Sequence, residues 1–275
     1  MPSPIESAIE IAHEAGSLLR QYFERRVRFE LKGDFDLVTE ADRASEHLII
    51  GRLKALYPDH AILAEEGGGF EKASGYRWYV DPLDGTTNFA HAYPVYNVTL
   101  ALEKDGELIL GVIFDPNRDE LFTAEKGSGA YLNGRRIHVS KAPVLNESLF
   151  STGFPSRRRH LDVNIHFYHQ LAMASHGVRR CGAAAVDLAY VACGRLDGFW
   201  EFGLSPWDMA AGKLLVEEAG GVCTDMKGQP HRLTGPHILT DNGLIHGEIV
   251  SLFEEIFRGR YRYAMPSIRP EAGSD

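Results

Sequence analysis

The sequence predicts a mixed α/β fold with an antiparallel first half and a mostly parallel second half. Two observations carry that expectation. Short apolar runs before residue 140 are joined by tight turn dipeptides. Asp105-Gly106 separates Val95–Glu103 from Glu107–Phe114, and Asn133-Gly134 marks a second turn. Such two-residue connections join antiparallel neighbours. Beyond about residue 140, strand candidates Leu149–Ser151, Gly198–Trp200 and Val222–Thr224 alternate with helical segments, the order that builds parallel βα units. Residues 1–140 are therefore assigned to the antiparallel half, 141–262 to the α/β half and 263–275 to a polar tail.

The elements follow in order. Ser3, Pro4 and Glu6 form a helix start, with a cap, a first-turn proline and a capping-box acid. Ile5, Ala8, Ile9, Ala12, Leu18, Leu19 and Tyr22 then keep helical spacing. Thr39-Glu40-Ala41-Asp42 opens a second helix in the same way and Pro58 ends it. The apolar runs Ala61–Ala64 and Trp78–Val80 read as strands, and each ends in acids: Glu65 and Glu66 after the first, Asp81 after the second. Later helices are expected over 161–175, 183–193, 206–219 and 245–258, with Gly220-Gly221 as a stop.

Composition narrows the class. The chain has 275 residues, 44% hydrophobic and 24% charged, which suits a globular protein with a sizeable core. No run of about 18 apolar residues is present, so no membrane span is expected. Met1–Glu6 lacks a basic stretch followed by an apolar one, so no secretory signal is expected. Cys181, Cys193 and Cys223 are too scattered for a disulfide framework or a zinc pattern, and a cytoplasmic location fits them. The net charge of −9 argues against a broad DNA-binding face. The basic run Arg157-Arg158-Arg159-His160 reads first as a solvated loop and second as a patch for an anionic ligand.

The segment Trp78–Phe89 carries the most chemistry. A strand delivers Asp81, Pro82 fixes the chain as it leaves the strand, and Asp84 follows three residues later, so two carboxylates can converge on one cation. Gly85 permits a tight turn. Thr86-Thr87-Asn88 then opens a short helix whose first N–H groups can face a phosphate. Asp-Pro and Asp-Gly are also ordinary turn dipeptides, but the full string is hard to read as a turn alone. Asp42 and Asp208 each stand three residues after a possible cap, Thr39 and Ser205, where an acid also steadies a helix start. Hard oxygen ligands of this kind suit Mg2+, with Mn2+ as a substitute.

Asp81-Pro-Leu-Asp-Gly-Thr-Thr-Asn88 and Trp207-Asp-Met-Ala-Ala-Gly212 resemble the two signature strings of the inositol monophosphatase family, among the lithium-sensitive, magnesium-dependent phosphatases. The string Arg179–Ala189 resembles its bacterial branch, and the likeness spans roughly residues 5–260. The resemblance implies a layered αβαβα sandwich, two or three magnesium ions and, in most relatives, a homodimer. It implies that Glu65, Asp81, Asp84 and Asp208 hold metal through side chains and Leu83 through its carbonyl. Asp42 and Thr86 would orient the attacking water, and the N–H groups of Gly85 and Thr86 would face phosphate. Glu201, Arg179 and Ala184 would contact substrate. Ala183 departs from the Ser or Thr common in relatives and removes a hydroxyl beside the sugar. The implied reaction is hydrolysis of an inositol monophosphate. Fructose 1,6-bisphosphate and histidinol phosphate are the alternatives on the same fold, and a regulatory partner of the transcription machinery is the alternative of another class.

Overall fold

Helix α1 (Pro4–Arg25) starts where the cap signal placed it: Glu6 accepts the Ser3 N–H at 2.8 Å. Its apolar face buries Ala8, Ile11, Ala12, Ala15 and Leu19. The structure is a computed structural model and describes residues 2–25, 29–33, 36–67, 69–72, 74–154 and 163–265. A two-stranded ribbon, β1 (Phe29–Gly33) and β2 (Asp36–Thr39), leads into α2 (Glu40–Leu56). Thr39 caps α2, and its N–H and hydroxyl both bond the Asp42 carboxyl, at 2.7 and 2.6 Å.

The first sheet has seven strands in sequence order: β3 (Ala61–Ala64), β4 (Tyr76–Asp84), β5 (Asn97–Lys104), β6 (Glu107–Asp115), β7 (Glu120–Glu125), β8 (Gly129–Leu132) and β9 (Arg135–Ile137). Every neighbouring pair is antiparallel except β3 and β4. The two turn dipeptides fall where expected, between β5 and β6 and between β8 and β9. The short helix α3 (Thr86–Ala90) links β4 to β5.

The second sheet combines β10 (Leu149–Thr152), β11 (Gly177–Arg179), β12 (Gly198–Phe202), β13 (Val222–Thr224) and β14 (His237–Asp241) in the order β11-β10-β12-β14-β13. Here the structure corrects the expected mostly parallel half. Only β11/β10 and β10/β12 are parallel, whereas β12/β14 and β13/β14 are antiparallel. No helix separates β13 from β14, so the chain returns antiparallel. Helices α4 (Asn164–Ala174), α5 (Ala184–Ala192), α6 (Pro206–Glu218) and α7 (His246–Phe257) match the expected segments. The basic run at 157–160 and the tail from 266 lie outside the described residues.

Three large apolar clusters among the described residues stack these elements into five layers. One core lies between α1, α2 and the first sheet. A second joins the other face of that sheet to α5 and α6, which also touch the second sheet. The third fills the space between the second sheet and α4 and α7. The order αβαβα follows. The central helical layer is rich in small residues, which lets both sheets approach it. A Cβ on Gly212 would stand 2.5 Å from Leu188, and one on Gly111 would stand 2.9 Å from the Ala211 backbone. Helix α6 is thereby held tightly against β6.

Candidate active site

A spacing of three along a regular strand points two side chains to opposite faces. Asp81 and Asp84 avoid that outcome through a bulge. Strand β4 continues past Pro82 to Asp84, and Asp81 pairs with Thr99 while Asp84 pairs with Asn97. Three steps on β4 thus match two on β5, and the extra residue brings both acids to one face. The chain turns only at Gly85, whose φ of 92° is left-handed. A Cβ there would stand 2.8 Å from the Val95 carbonyl, so glycine alone fits.

The surrounding elements lock this turn. Thr86 Oγ1 lies 2.9 Å from Asp42 Oδ1 and 3.1 Å from the Leu83 carbonyl. Asp42 therefore serves both readings: one oxygen caps α2 and the other holds Thr86. Ser45 donates to the Pro82 carbonyl at 2.8 Å, which ties α2 to the motif. Asp84 Oδ2 accepts the Asn97 amide at 2.8 Å and the Ala185 N–H at 2.9 Å, which fixes the start of α5 beside β4. Asp208 likewise combines two functions, since its Oδ2 accepts the Ser205 N–H at 2.7 Å at the start of α6. The Glu66 N–H donates to Glu46 of α2 at 2.8 Å, which sets the turn that carries Glu65.

A cavity of about 420 Å3 is lined by residues from both halves of the chain, Glu65, Asp84, Arg180, Ala184, Glu201 and Asp208 among others. Asp81 lies buried beneath it. Burial pushes the Asp81 carboxyl well above the usual range, and the charges of Glu65, Asp84 and Asp208 add to the push. The charges of Glu65, Asp84 and Asp208 thus all bear on Asp81, although Asp208 stands on α6 in the other half of the chain. Burial also raises Asp84, against the opposing Asn97 and Ala185 hydrogen bonds, and it raises Asp42. Among the described residues, no three His, Cys, Asp or Glu side chains stand close enough together to hold a metal ion as they are placed. The donors are nonetheless all hard oxygens, with Asp81 and Asp84 buried and Glu65 and Asp208 half-buried, a set whose repulsion a divalent cation would offset.

The wall opposite Asp81 and Asp84 comes from the second half of the chain. Glu201 on β12 lies against the end of β10, where a Cβ on Gly153 would stand 2.1 Å from its carboxyl oxygens. Burial pushes Glu201 well above the usual carboxylate range, with Arg180 opposing. Asp187 on α5 is buried, and burial pushes its carboxyl up to about 7. Ala184 lines the cavity as expected, whereas Arg179 does not. Arg179 closes β11 in register with Ser151, and its neighbour Arg180 reaches the cavity instead. Arg180 stood inside a recognised string, but only the turn at Gly182, with φ of 86°, reveals which arginine faces inward. Asn97 was also missed; a fully buried amide in an apolar strand was its signal.

The layered fold and the acid-lined cavity define a phosphatase hydrolase. The model of the inositol monophosphatase family matches residues 1–258. The chain is similar to the Nus factor SuhB of Pseudomonas aeruginosa, 46% identical over 250 residues that cover 88% of this chain and 92% of the relative. It is equally similar to the inositol-1-monophosphatase of Synechocystis sp., 46% identical over 255 residues that cover 90% of this chain and 89% of the relative. Among solved structures, the extragenic suppressor protein suhB of Bartonella henselae superposes with a TM-score of 0.86 at 40% identity, covering 91% of this chain and 98% of the other. The chain belongs to the inositol monophosphatase family.

Proposed function

We propose that this protein hydrolyses inositol monophosphate to inositol and phosphate with magnesium as its cofactor. The observation that carries the reading is that Glu65, Asp84 and Asp208 line one cavity and that the charges of all three bear on the buried Asp81. These carboxylates and the Leu83 carbonyl would hold two or three ions. Magnesium, when bound, supplies Lewis-acid activation of water and neutralises charge on the phosphate.

The chain's own residues do the rest. Thr86 Oγ1, fixed by Asp42 Oδ1 at 2.9 Å, presents a hydroxyl that aligns the attacking water. Asp42, raised by burial, is suited to take its proton. The N–H groups of Gly85 and Thr86 face the phosphate. Glu201 bonds hydroxyls of the leaving alcohol. Positioning and electrostatics thus carry the reaction, and no covalent enzyme intermediate is required.

Phosphate release from myo-inositol 1-phosphate, fructose 1,6-bisphosphate and histidinol phosphate, with and without magnesium, tests the reading. Magnesium-dependent turnover with the inositol ester preferred is the expected result. Absence of turnover on all three would remove the catalytic reading. The same reading takes the protein as a cytoplasmic homodimer, which sedimentation of the purified chain checks. A second reading rests on the relative named Nus factor SuhB: a regulatory contact with the transcription machinery, which co-purification with RNA polymerase subunits would support.

A further inference from the structure

Strand β5 carries two polar side chains among apolar neighbours. Asn97 and Thr99 lie on the same face of the strand as Ala101, which packs in the apolar cluster shared with α5 and α6. Both are fully buried. A buried amide and a buried hydroxyl cost stability unless they are bonded. Their hydrogen bonds form a relay that ends on Asp84. The Thr99 hydroxyl donates to Asn97 Oδ1 at 2.7 Å, and the Asn97 amide donates to Asp84 Oδ2 at 2.8 Å.

Chemistry fixes the direction of this relay. An ionised carboxylate only accepts, so the Asn97 NH2 must face Asp84. The Asn97 carbonyl then faces Thr99, whose hydroxyl donates to it and keeps the amide from turning over. The register sets Thr99 across from Asp81 and Asn97 across from Asp84, so the relay runs beside both acids. The Ala185 N–H meets the same Asp84 oxygen, Oδ2, at 2.9 Å. Two donors from different elements thus hold one oxygen of a carboxylate that lines the cavity.

We propose that Asn97, oriented by Thr99, is a positioning residue for the metal site: it fixes Asp84 Oδ2 and so leaves Oδ1 as the oxygen that meets a divalent cation. The inference rests on the metal-binding part of the proposed function and deepens it.

The test measures Mn2+ binding by calorimetry and the metal-free Tm for the wild type, Asn97→Ala, Thr99→Val and Thr99→Ser. Asn97→Ala should weaken Mn2+ binding roughly tenfold or more, the usual cost of losing a group that orients a metal ligand. Thr99→Val should weaken it less, and Thr99→Ser should restore the wild-type affinity because the hydroxyl returns. A pair that serves the fold alone would lower the metal-free Tm and leave the Mn2+ affinity of the folded variants unchanged, which would overturn the assignment. Equal affinity in Thr99→Val and Thr99→Ser would overturn it too, and that comparison decides the matter if Asn97→Ala does not fold. A wild type that binds no Mn2+ would remove the metal reading and this inference with it. A wild type that binds Mn2+ but cleaves no phosphate ester would remove the phosphatase reading and leave the role of Asn97 to be decided by the affinities of the variants.

Discussion

The two walls of the cavity are built on opposite plans. On the wall that comes from the first sheet and the helix starts around it, carboxylates are braced by N–H or hydroxyl groups. Asp42 is held by Thr39, Asp81 by the Leu83 N–H at 3.0 Å, Asp84 by Asn97 and Ala185, and Asp208 by Ser205. On the opposite wall, among the described residues, Arg180 makes no such bond and Asp187 Oδ1 has no hydrogen-bond partner. Bracing holds an acid in place whether or not a cation is present. An unbraced group keeps its bonding capacity for a ligand. On the function proposed above, the first wall would hold metal and the second would recognise substrate.

The largest expected effect breaks the braced wall. Asp84→Asn keeps the volume but removes a charge, and roughly a hundredfold or greater loss of magnesium-dependent kcat is expected. Near-normal turnover in this variant would show that the bracing serves the fold alone. A smaller loss, about tenfold to a hundredfold, is expected for Thr86→Ala, with recovery in Thr86→Ser because the hydroxyl to Asp42 returns. Equal loss in both variants would contradict a hydroxyl role.

Much of the braced wall was legible in the sequence, because its signals are local. Caps at Thr39 and Ser205, the string from Asp81 to Asn88 and the turn dipeptides each announce themselves within a few residues. The convergence of Asp81 and Asp84 was foreseen, but the bulge that produces it was not, since register depends on β5 and no local spacing specifies it. The unbraced wall was harder to read. Choosing Arg180 over Arg179 requires the turn at Gly182, and the antiparallel return of β14 depends on pairing with β12 and β13 across long connections.

Two smaller effects sharpen the comparison. Gly111→Ala forces a methyl to within 2.9 Å of the α6 backbone. Overpacking of this kind costs about 1–3 kcal/mol, so Tm should fall by several degrees, with Asp208 disturbed through α6. An unchanged Tm would mean that α6 shifts freely.

The second effect concerns pH. Burial raises Asp187 to about 7, and it also raises Glu201 and Asp84. A carboxyl raised in the folded state binds more protons there than when unfolded. Its contribution is present at low pH and is lost as pH rises through the folded value. The metal-free protein should therefore melt lower at pH 8 than at pH 5, and magnesium should raise Tm more at pH 8. A flat metal-free profile would contradict the burial of these groups.

The most direct measurement is Mn2+ binding by calorimetry to the wild type and to Asp208→Asn. If Asp208 joins Asp81 and Asp84 at one site, the wild type binds at least two ions per chain and the variant loses one of them, or binds it roughly tenfold or more weakly. Equal stoichiometry and affinity in both proteins would show that Asp208 only caps its helix, and the shared metal pocket would not stand.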